Sequence, residues 1–495
     1  MAGASATPGL DHRRQGRIGA DQANWAVGTS VLDSYERRRS LATPTLAHVI
    51  VILRWVWTAI LRIGAFTALH RWILLSGVLA AVGVVGLVTT VPAATNIALA
   101  VVSVVLVVLE VRKHAVNLRE IQFVDRPGDP YSDVRMVLKG NPRFEVLPSD
   151  LGSCVIDLAV TGMIAQGRVE ARLASANYRL PAEIKDAGTA FRRRRIAEVA
   201  VYNGHVLGLN TNLGSAAASK ATEWELVPGR YWDHLASDIL ATKDTLHRGL
   251  LAQNPGRQLY VDRHGRLRDF ADSWLLNAIG TSVLALTTDA RVVLVAQSNR
   301  NESSRGLLAP SGSGSLERRD LLGRQSHCLR DLAATGALRE MAEEAGILEA
   351  DVERTAFLGF GRWTAKAGKP ELFTLASLSI DSHAVRRRRA TSADRPYTLG
   401  TELVRLNQDV SGWNSAEPAS VLEATDPRRL SIPVHLALRL VQLAVAEQGN
   451  AAGDIMRSAL DIPAGEAISA SGFDQPRNHA EATSAATSQT DTLEA

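Results

Sequence analysis

Three glutamates stand close together in the run Arg339-Glu340-Met341-Ala342-Glu343-Glu344-Ala345-Gly346-Ile347. Apolar spacing upstream predicts a helix from about Cys328 to Ala345, and Gly346 is a normal stop signal. On such a helix Glu340 and Glu344 are four residues apart and Glu343 is three from Glu340, so all three project from one face. Like charges at this spacing repel unless something neutralises them. A hard divalent cation, Mg²⁺ or Mn²⁺, prefers carboxylate oxygens and can bridge phosphate oxygens while activating water. Carboxylate spacing by itself equally describes a solvated acidic face.

The flanking segments set this helix in an α+β context. Ser282–Ser298 reads as a hairpin, with Val283, Leu284 and Leu286 before the turn Thr288-Asp289-Ala290 and Val292, Val293, Leu294 and Val295 after it. Gly306–Glu317 reads as a strand entering a glycine-rich loop. Phe357–Trp363 and Glu371–Ile380 read as later strands, and Pro433–Glu447 as an apolar closing helix too short to cross a membrane. Glu371 could supply a further carboxylate, but reads more readily as a surface glutamate. Gly336, in mid-helix, lowers helix stability slightly.

Taken together, these residues resemble the Nudix hydrolase superfamily, whose signature is G-x5-E-x7-R-E-U-x-E-E-x-G-U with U a bulky apolar residue. Arg339–Ile347 meets the second half at every specified position. Pro310-Ser311-Gly312-Ser313-Gly314 is similar to the family's Pro-Gly-Gly entry. Asp331, ahead of the spacer Leu332–Leu338, stands in place of the first Glu. Gln325 holds the position of the signature glycine, so Gly312 or Gly314 is the better counterpart, with an insertion of roughly a dozen residues around Glu317–His327. The resemblance covers about 274–449 and implies a Nudix-type α/β/α sandwich with a mixed sheet. It implies Glu340, Glu344, Glu343 and Asp331 as metal ligands, Gly312 and Gly314 in a substrate loop, and Glu344, Glu343 and Arg339 as the catalytic set, Arg339 holding the carboxylates by ion pairing. The implied reaction is metal-dependent (Mg²⁺ or Mn²⁺) cleavage of a diphosphate bond in a nucleoside-diphosphate-linked substrate. A nucleotide sensor that binds without turnover is the alternative; a purely structural membrane protein would show neither binding nor metal dependence.

The rest of the 495 residues must carry and locate that domain. Hydrophobic content is 46% with only 5% aromatic, a hint that part of the apolar content is not soluble core. From Trp72 to Leu109 there is no charged residue, too long a run for one span of ~20 residues and enough for two. Pro92, near its middle, predicts spans at about 72–91 and 93–111. Arg54, Arg62 and Arg71 before this hairpin, and Arg112, Lys113 and Arg119 after it, predict a multi-pass cell-membrane protein with both termini and the Nudix-like domain cytoplasmic. Residues 45–69 contain Arg54 and Arg62, which favours an interfacial amphipathic helix over a third span. Gly77, Gly83 and Gly86 could pack one hairpin against another copy, giving a homo-oligomer. Residues 1–44 and 463–495 read as disordered tails.

Residues 120–257 read as an α+β region of unknown role, either an independent domain or an N-terminal extension of the Nudix-like domain, with β-like runs Ser153–Val160 and Glu198–Leu209 and a helix-like stretch Tyr231–Leu246. Phe191–Arg195 and Arg386–Arg389 each hold a run of four arginines: solvated faces, or contacts for anionic lipid or a phosphorylated ligand. With a formal charge of +4 spread along the chain, nucleic-acid binding is not expected. Two cysteines, Cys154 and Cys328, make neither a disulfide framework nor a thiolate metal site and read as free thiols.

Overall fold

The computed structural model describes residues 140–463, apart from 149–151, 199–202, 214–221, 248–249, 252–255, 300, 302–303, 322–326, 393 and 415, together with 121–125 and scattered positions between 97 and 138. The tail at 1–44, all of the tail at 463–495 after Pro463, the segment at 45–69 and nearly all of the hairpin expected at 72–111 lie outside these residues. Among the described residues no helix is long and apolar enough to cross a membrane. The described helical positions between 97 and 112 nevertheless expose Ile97, Val101, Val102, Val104, Val105, Val108 and Leu109, each between 48 and 65% accessible. Residues 1–107 and 108–495 form two separate units.

The larger unit is α+β with mixed sheets. Its strands in chain order are β1 (Ile121–Asp125), β2 (Phe144–Leu147), β3 (Cys154–Asp157), β4 (Val169–Leu173), β5 (His205–Leu209), β6 (Thr222–Arg230), β7 (Lys243–His247), β8 (Leu250–Leu251), β9 (Gly280–Leu286), β10 (Arg291–Gln297), β11 (Leu308–Ala309), β12 (Gly312–Ser315), β13 (Val352–Trp363), β14 (Lys369–Leu378) and β15 (Thr398–Arg405). The central nine-stranded sheet runs β11-β10-β9-β14-β13-β3-β2, with β12 on β9 and β15 on β10. β9 and β10 form the expected hairpin, pairing Val292 with Leu286 and Val293 with Ala285. Ala290 closes its turn at φ +54°, and Ala290 N donates to Thr287 O at 3.0 Å. β14 lies parallel to β9 and antiparallel to β13.

The alternation along β9 explains the layers. Val283 and Ala285 share one core with Ala337, Met341 and Ile347 of the glutamate helix and its end. Leu284 and Leu286 point the other way, into a second core with Leu436, Leu440 and Val441. The first layer is the helix Leu329–Glu344 and the second is Ile432–Ala446, close to the expected bounds. A sheet buried on both faces reads as continuous apolar runs, as Val283–Leu286 and Val292–Val295 do.

Residues 120–257 are not a separate body. β3 pairs with Gly361–Trp363 of β13, which extends the central sheet by β3 and β2. The small sheet β4-β6-β5 is stitched to the core through Leu207 N donating to Leu316 O (2.8 Å), Ile279 N to Leu207 O (2.9 Å) and Ala171 N to His327 O (2.7 Å). The buried Asp238 carboxylate takes His234 Nδ1 at 2.7 Å and accepts from Asn277 N (3.1 Å) and Ala278 N (2.9 Å), so this polar knot pins the chain just before β9.

Three local expectations change. The β-like run Ser153–Val160 is strand only to Asp157; its carboxylate accepts from Val160 N and caps a helix, α1 (Leu158–Ala165). Residues 182–198 form helix α2 (Ala182–Glu198), leaving only His205–Leu209 as strand in the run expected from Glu198. The helix-like stretch Tyr231–Leu246 is α3 (Tyr231–His234), a π turn, a 3₁₀ turn and then β7.

Candidate functional site

Further along the chain come α4 (Arg318–Leu321), α5 (Leu329–Glu344), α6 (Ser382–Arg386), α7 (Ile432–Ala446) and α8 (Ala451–Ala459). The site is built on α5 and on β12, which packs against it. Gly336, which weakens α5 as an isolated helix, is there for packing: a Cβ would lie 2.4 Å from Leu316 Cδ2. Gly346, at φ +71°, ends the helix in the left-handed region.

β12 explains Gly312 and Gly314. A Cβ on Gly312 would lie 2.2 Å from Met341 N, and one on Gly314 would lie 2.2 Å from Glu340 Oε1. These glycines therefore form a strand pressed onto α5. The close approach brings Ser313 N to Glu344 Oε2, where it donates at 2.9 Å. Gly312→Ala would force a methyl into helix backbone, and we expect a loss of at least about 2 kcal/mol in chemical denaturation. Gly314→Ala meets the end of a side chain, so it should leave the melting temperature nearly unchanged while weakening Mn²⁺ binding measured by calorimetry. Equal effects of the two substitutions on stability would contradict this account.

Arg339 is the hub. Its Nε and Nη2 donate to the two oxygens of Asp320 at 2.7 and 3.0 Å, its Nη2 to Ser315 O at 2.9 Å, and its Nη1 to Glu340 Oε1 at 2.6 Å; Glu343 Oε2 is 3.5 Å away. Arg319 pairs with Glu317 at 2.7 Å and with Glu343 at 3.2 Å. Glu340 and Glu343 are thus held by guanidinium groups. Glu344 differs: besides Ser313 it receives only Gln297 Nε2, at 3.4 Å, and has no basic partner among the described residues.

These surroundings set the ionisation. Burial pushes Glu344 well above the usual carboxylate range, helped by the charge of Glu340 and opposed by the Ser313 N–H and Gln297. Burial also raises Glu340 to about 7, with Arg339 opposing and Glu343 reinforcing. A carboxyl that holds its proton more tightly when folded favours folding fully below its unfolded value of 4.5, and that contribution is lost as pH rises through about 7. We therefore expect the melting temperature of the metal-free protein to fall between about pH 5 and 8. Saturating Mn²⁺ should flatten that slope, because a bound cation favours the ionised carboxylates. A slope unaffected by Mn²⁺ would argue against cation binding here.

Among the described residues no three His, Cys, Asp or Glu side chains are already gathered as a metal cage. Glu340 and Glu344 lie one helical turn apart, Glu344 lacks a cation and every donor is oxygen, so the chemistry of the pair fits a hard divalent ion.

Asp331, expected to join this set, does not. It stands in the first turn of α5, 40% exposed and paired with Arg330 at 3.0 Å. It precedes Glu340 by nine residues, about 13 Å along a helix rising about 1.5 Å per residue. The acid that reaches the arginine is Asp320, its side chain 2% exposed. Gly314 and Asp320 have five residues between them, the spacing that the signature sets between its glycine and its first acid, with Asp in place of Glu; the insertion falls between Asp320 and α5. An acid six residues after a glycine was the signal in the sequence.

Glu371 is neither a surface glutamate nor part of this set. It is 3% exposed, pairs with Lys369 at 2.6 Å and accepts from Ser282 Oγ at 2.8 Å. It alternates with Leu372 on β14 and shares its side of the sheet with Phe373 and Leu375, away from α5. Cys154 and Cys328 are both buried and unbridged. No protein-family model matches the chain, and no curated protein is significantly similar to it.

Proposed function

We propose that the chain is a membrane-anchored Nudix-type hydrolase that uses Mg²⁺ or Mn²⁺ to cleave a diphosphate bond in a nucleoside-diphosphate-linked substrate. The observation that carries this reading is Glu344, a buried carboxylate with no basic partner among the described residues, one turn from Glu340 and gripped by Ser313 N–H. Glu340 and Glu344 would hold the cation, with Glu343 assisting directly or through water. Arg339, locked onto Asp320 and Ser315 O, fixes the helix face against β12 so that the carboxylates keep their spacing. A divalent cation held there would supply charge neutralisation for the diphosphate and would make a nearby water easier to deprotonate. Glu344, whose proton affinity is raised by burial, is suited to take a proton from water close by. Addition of that water across the diphosphate gives two phosphate monoesters, one of them the nucleoside monophosphate.

The membrane part of the proposal rests on the uncharged run Trp72–Leu109 and on the exposed Val and Leu side chains of its second half, an apolar surface that a lipid bilayer would cover. The flanking arginines and Lys113 support a topology with both ends, and the hydrolase unit, on the cytoplasmic side.

The test uses full-length protein in detergent with Mg²⁺ or Mn²⁺, offered dinucleotides, nucleotide sugars and nucleoside triphosphates. Metal-dependent release of nucleoside monophosphate from at least one class is expected. One observation favours a second reading: Arg339 and Arg319 already neutralise Glu340 and Glu343, a resting arrangement that suits a nucleotide sensor. Saturable binding without turnover across the whole panel would replace the hydrolase by that sensor.

A further inference from the structure

The proposed site has a basic rim formed by the chain from Arg386 to Arg395. This segment is fastened at both ends. Thr391 N donates to Glu343 O at 2.8 Å, and Gly346 packs so closely that a Cβ there would lie 2.2 Å from Arg389 O. At the other end Ser298 N donates to Tyr397 O at 2.9 Å, Ser298 Oγ to Pro396 O at 3.0 Å and Asn301 Nδ2 to Tyr397 O at 2.9 Å. Ser298 follows Gln297, which reaches Glu344. The segment therefore runs from the end of the glutamate helix to the end of the strand that touches Glu344, and the charge of Asp394 is felt at that carboxyl.

Its charges are unusual. Arg388 is paired with Asp351. Arg386, Arg387, Arg389 and Arg395 are exposed and have no carboxylate partner among the described residues. The Arg387 guanidinium meets His383 at 2.8 Å, a ring that brings no negative charge. Arg389 donates to the carbonyls of Arg386 and Arg388, and Arg395 to that of Ala390, contacts that leave the positive charge uncompensated. Arg319 and Arg339, by contrast, are both held by acids. Uncompensated guanidinium groups on a segment anchored this firmly match phosphate, which they grip through paired N–H donors.

We propose that the rim Arg386–Arg395 binds phosphate groups beyond the scissile diphosphate, so that the substrate is polyphosphorylated. The inference rests on the hydrolase reading for the position of the reacting bond, but its own test reads binding, not turnover. Full-length protein in detergent, at saturating Mg²⁺, is titrated with inorganic tripolyphosphate and with pyrophosphate by calorimetry. Tripolyphosphate is expected to bind tighter by about tenfold. In Arg389→Gln/Arg395→Gln, which keeps hydrogen-bonding side chains and removes two charges, the ratio should fall to within about threefold at an unchanged melting temperature. A ratio preserved in that variant, or absent in the wild type, overturns the proposal. So does loss of binding to phosphatidylserine vesicles with the ratio intact, which would make the rim a lipid contact. Failure of hydrolysis leaves the binding ratio standing, so the two readings fail separately.

Discussion

Glu344→Gln is expected to lower turnover by a factor on the order of 10²–10⁴ while leaving the fold intact. Glutamine keeps the size of the side chain and one carbonyl oxygen to accept from Ser313 N. It removes the charge that a divalent ion would grip and the group that could take a proton. Its effect on stability has the opposite sign. Burial holds the Glu344 carboxyl well above its ordinary value, so ionising it at neutral pH works against the folded state. The amide has no such cost, and the metal-free variant should melt at or above the wild-type temperature at pH 8. Steady-state kinetics and calorimetry on the same preparation decide both halves. A variant that keeps more than a tenth of the activity would remove Glu344 from the chemistry, and one that melts much lower would mean that its role is structural.

Arg339→Ala carries the largest expected effect on stability. The guanidinium is 14% exposed and Asp320 only 2%, so the substitution strands a buried carboxylate that it had held through two hydrogen bonds. Breaking a buried pair from one side costs about 3–5 kcal/mol. Ser315 O loses its donor, and Glu340 loses the group opposing its raised pKa. Activity should fall as well, because β12 and α5 are no longer tied together. The double variant Arg339→Met/Asp320→Leu separates the two effects: an apolar pair of similar volume should recover most of the stability and none of the activity. Denaturant unfolding of the two variants beside the wild type checks this. A wild-type midpoint for Arg339→Ala would show that the network is not what holds β12 on the helix.

Much of this was legible in the chain. Helix α5, its acidic face and its stop at Gly346 follow from periodicity over fewer than twenty residues, because a helix fixes the relation between positions three and four apart whatever surrounds it. The hairpin β9–β10 and helix α7 follow in the same way from local runs of apolar residues. Where expectation departed from structure, one deciding contact was a local cap and another came from far along the chain. The stretch at 153–160 switched from strand to helix because the Asp157 carboxylate caps the backbone there. Glu371 looked like a surface residue until Lys369 and Ser282, the latter 89 positions away in sequence, enclosed it.

By itself, then, the sequence determined which residue types sit on one helical face and that this face is acidic, because local geometry settles both. Only the tertiary structure decided which acid meets Arg339. Counting back along the chain leads to Asp331, but an insertion lengthens the path between Asp320 and α5 without lengthening the distance across which Asp320 and Arg339 meet. Packing likewise decided which glutamate is left without a basic partner among the described residues: Arg319 of α4 reaches Glu343, Arg339 turns to its neighbour Glu340 and to Asp320, and Glu344 meets Ser313 N instead. Ion pairs are set by separation in space, and separation in space is what a linear count of residues does not contain.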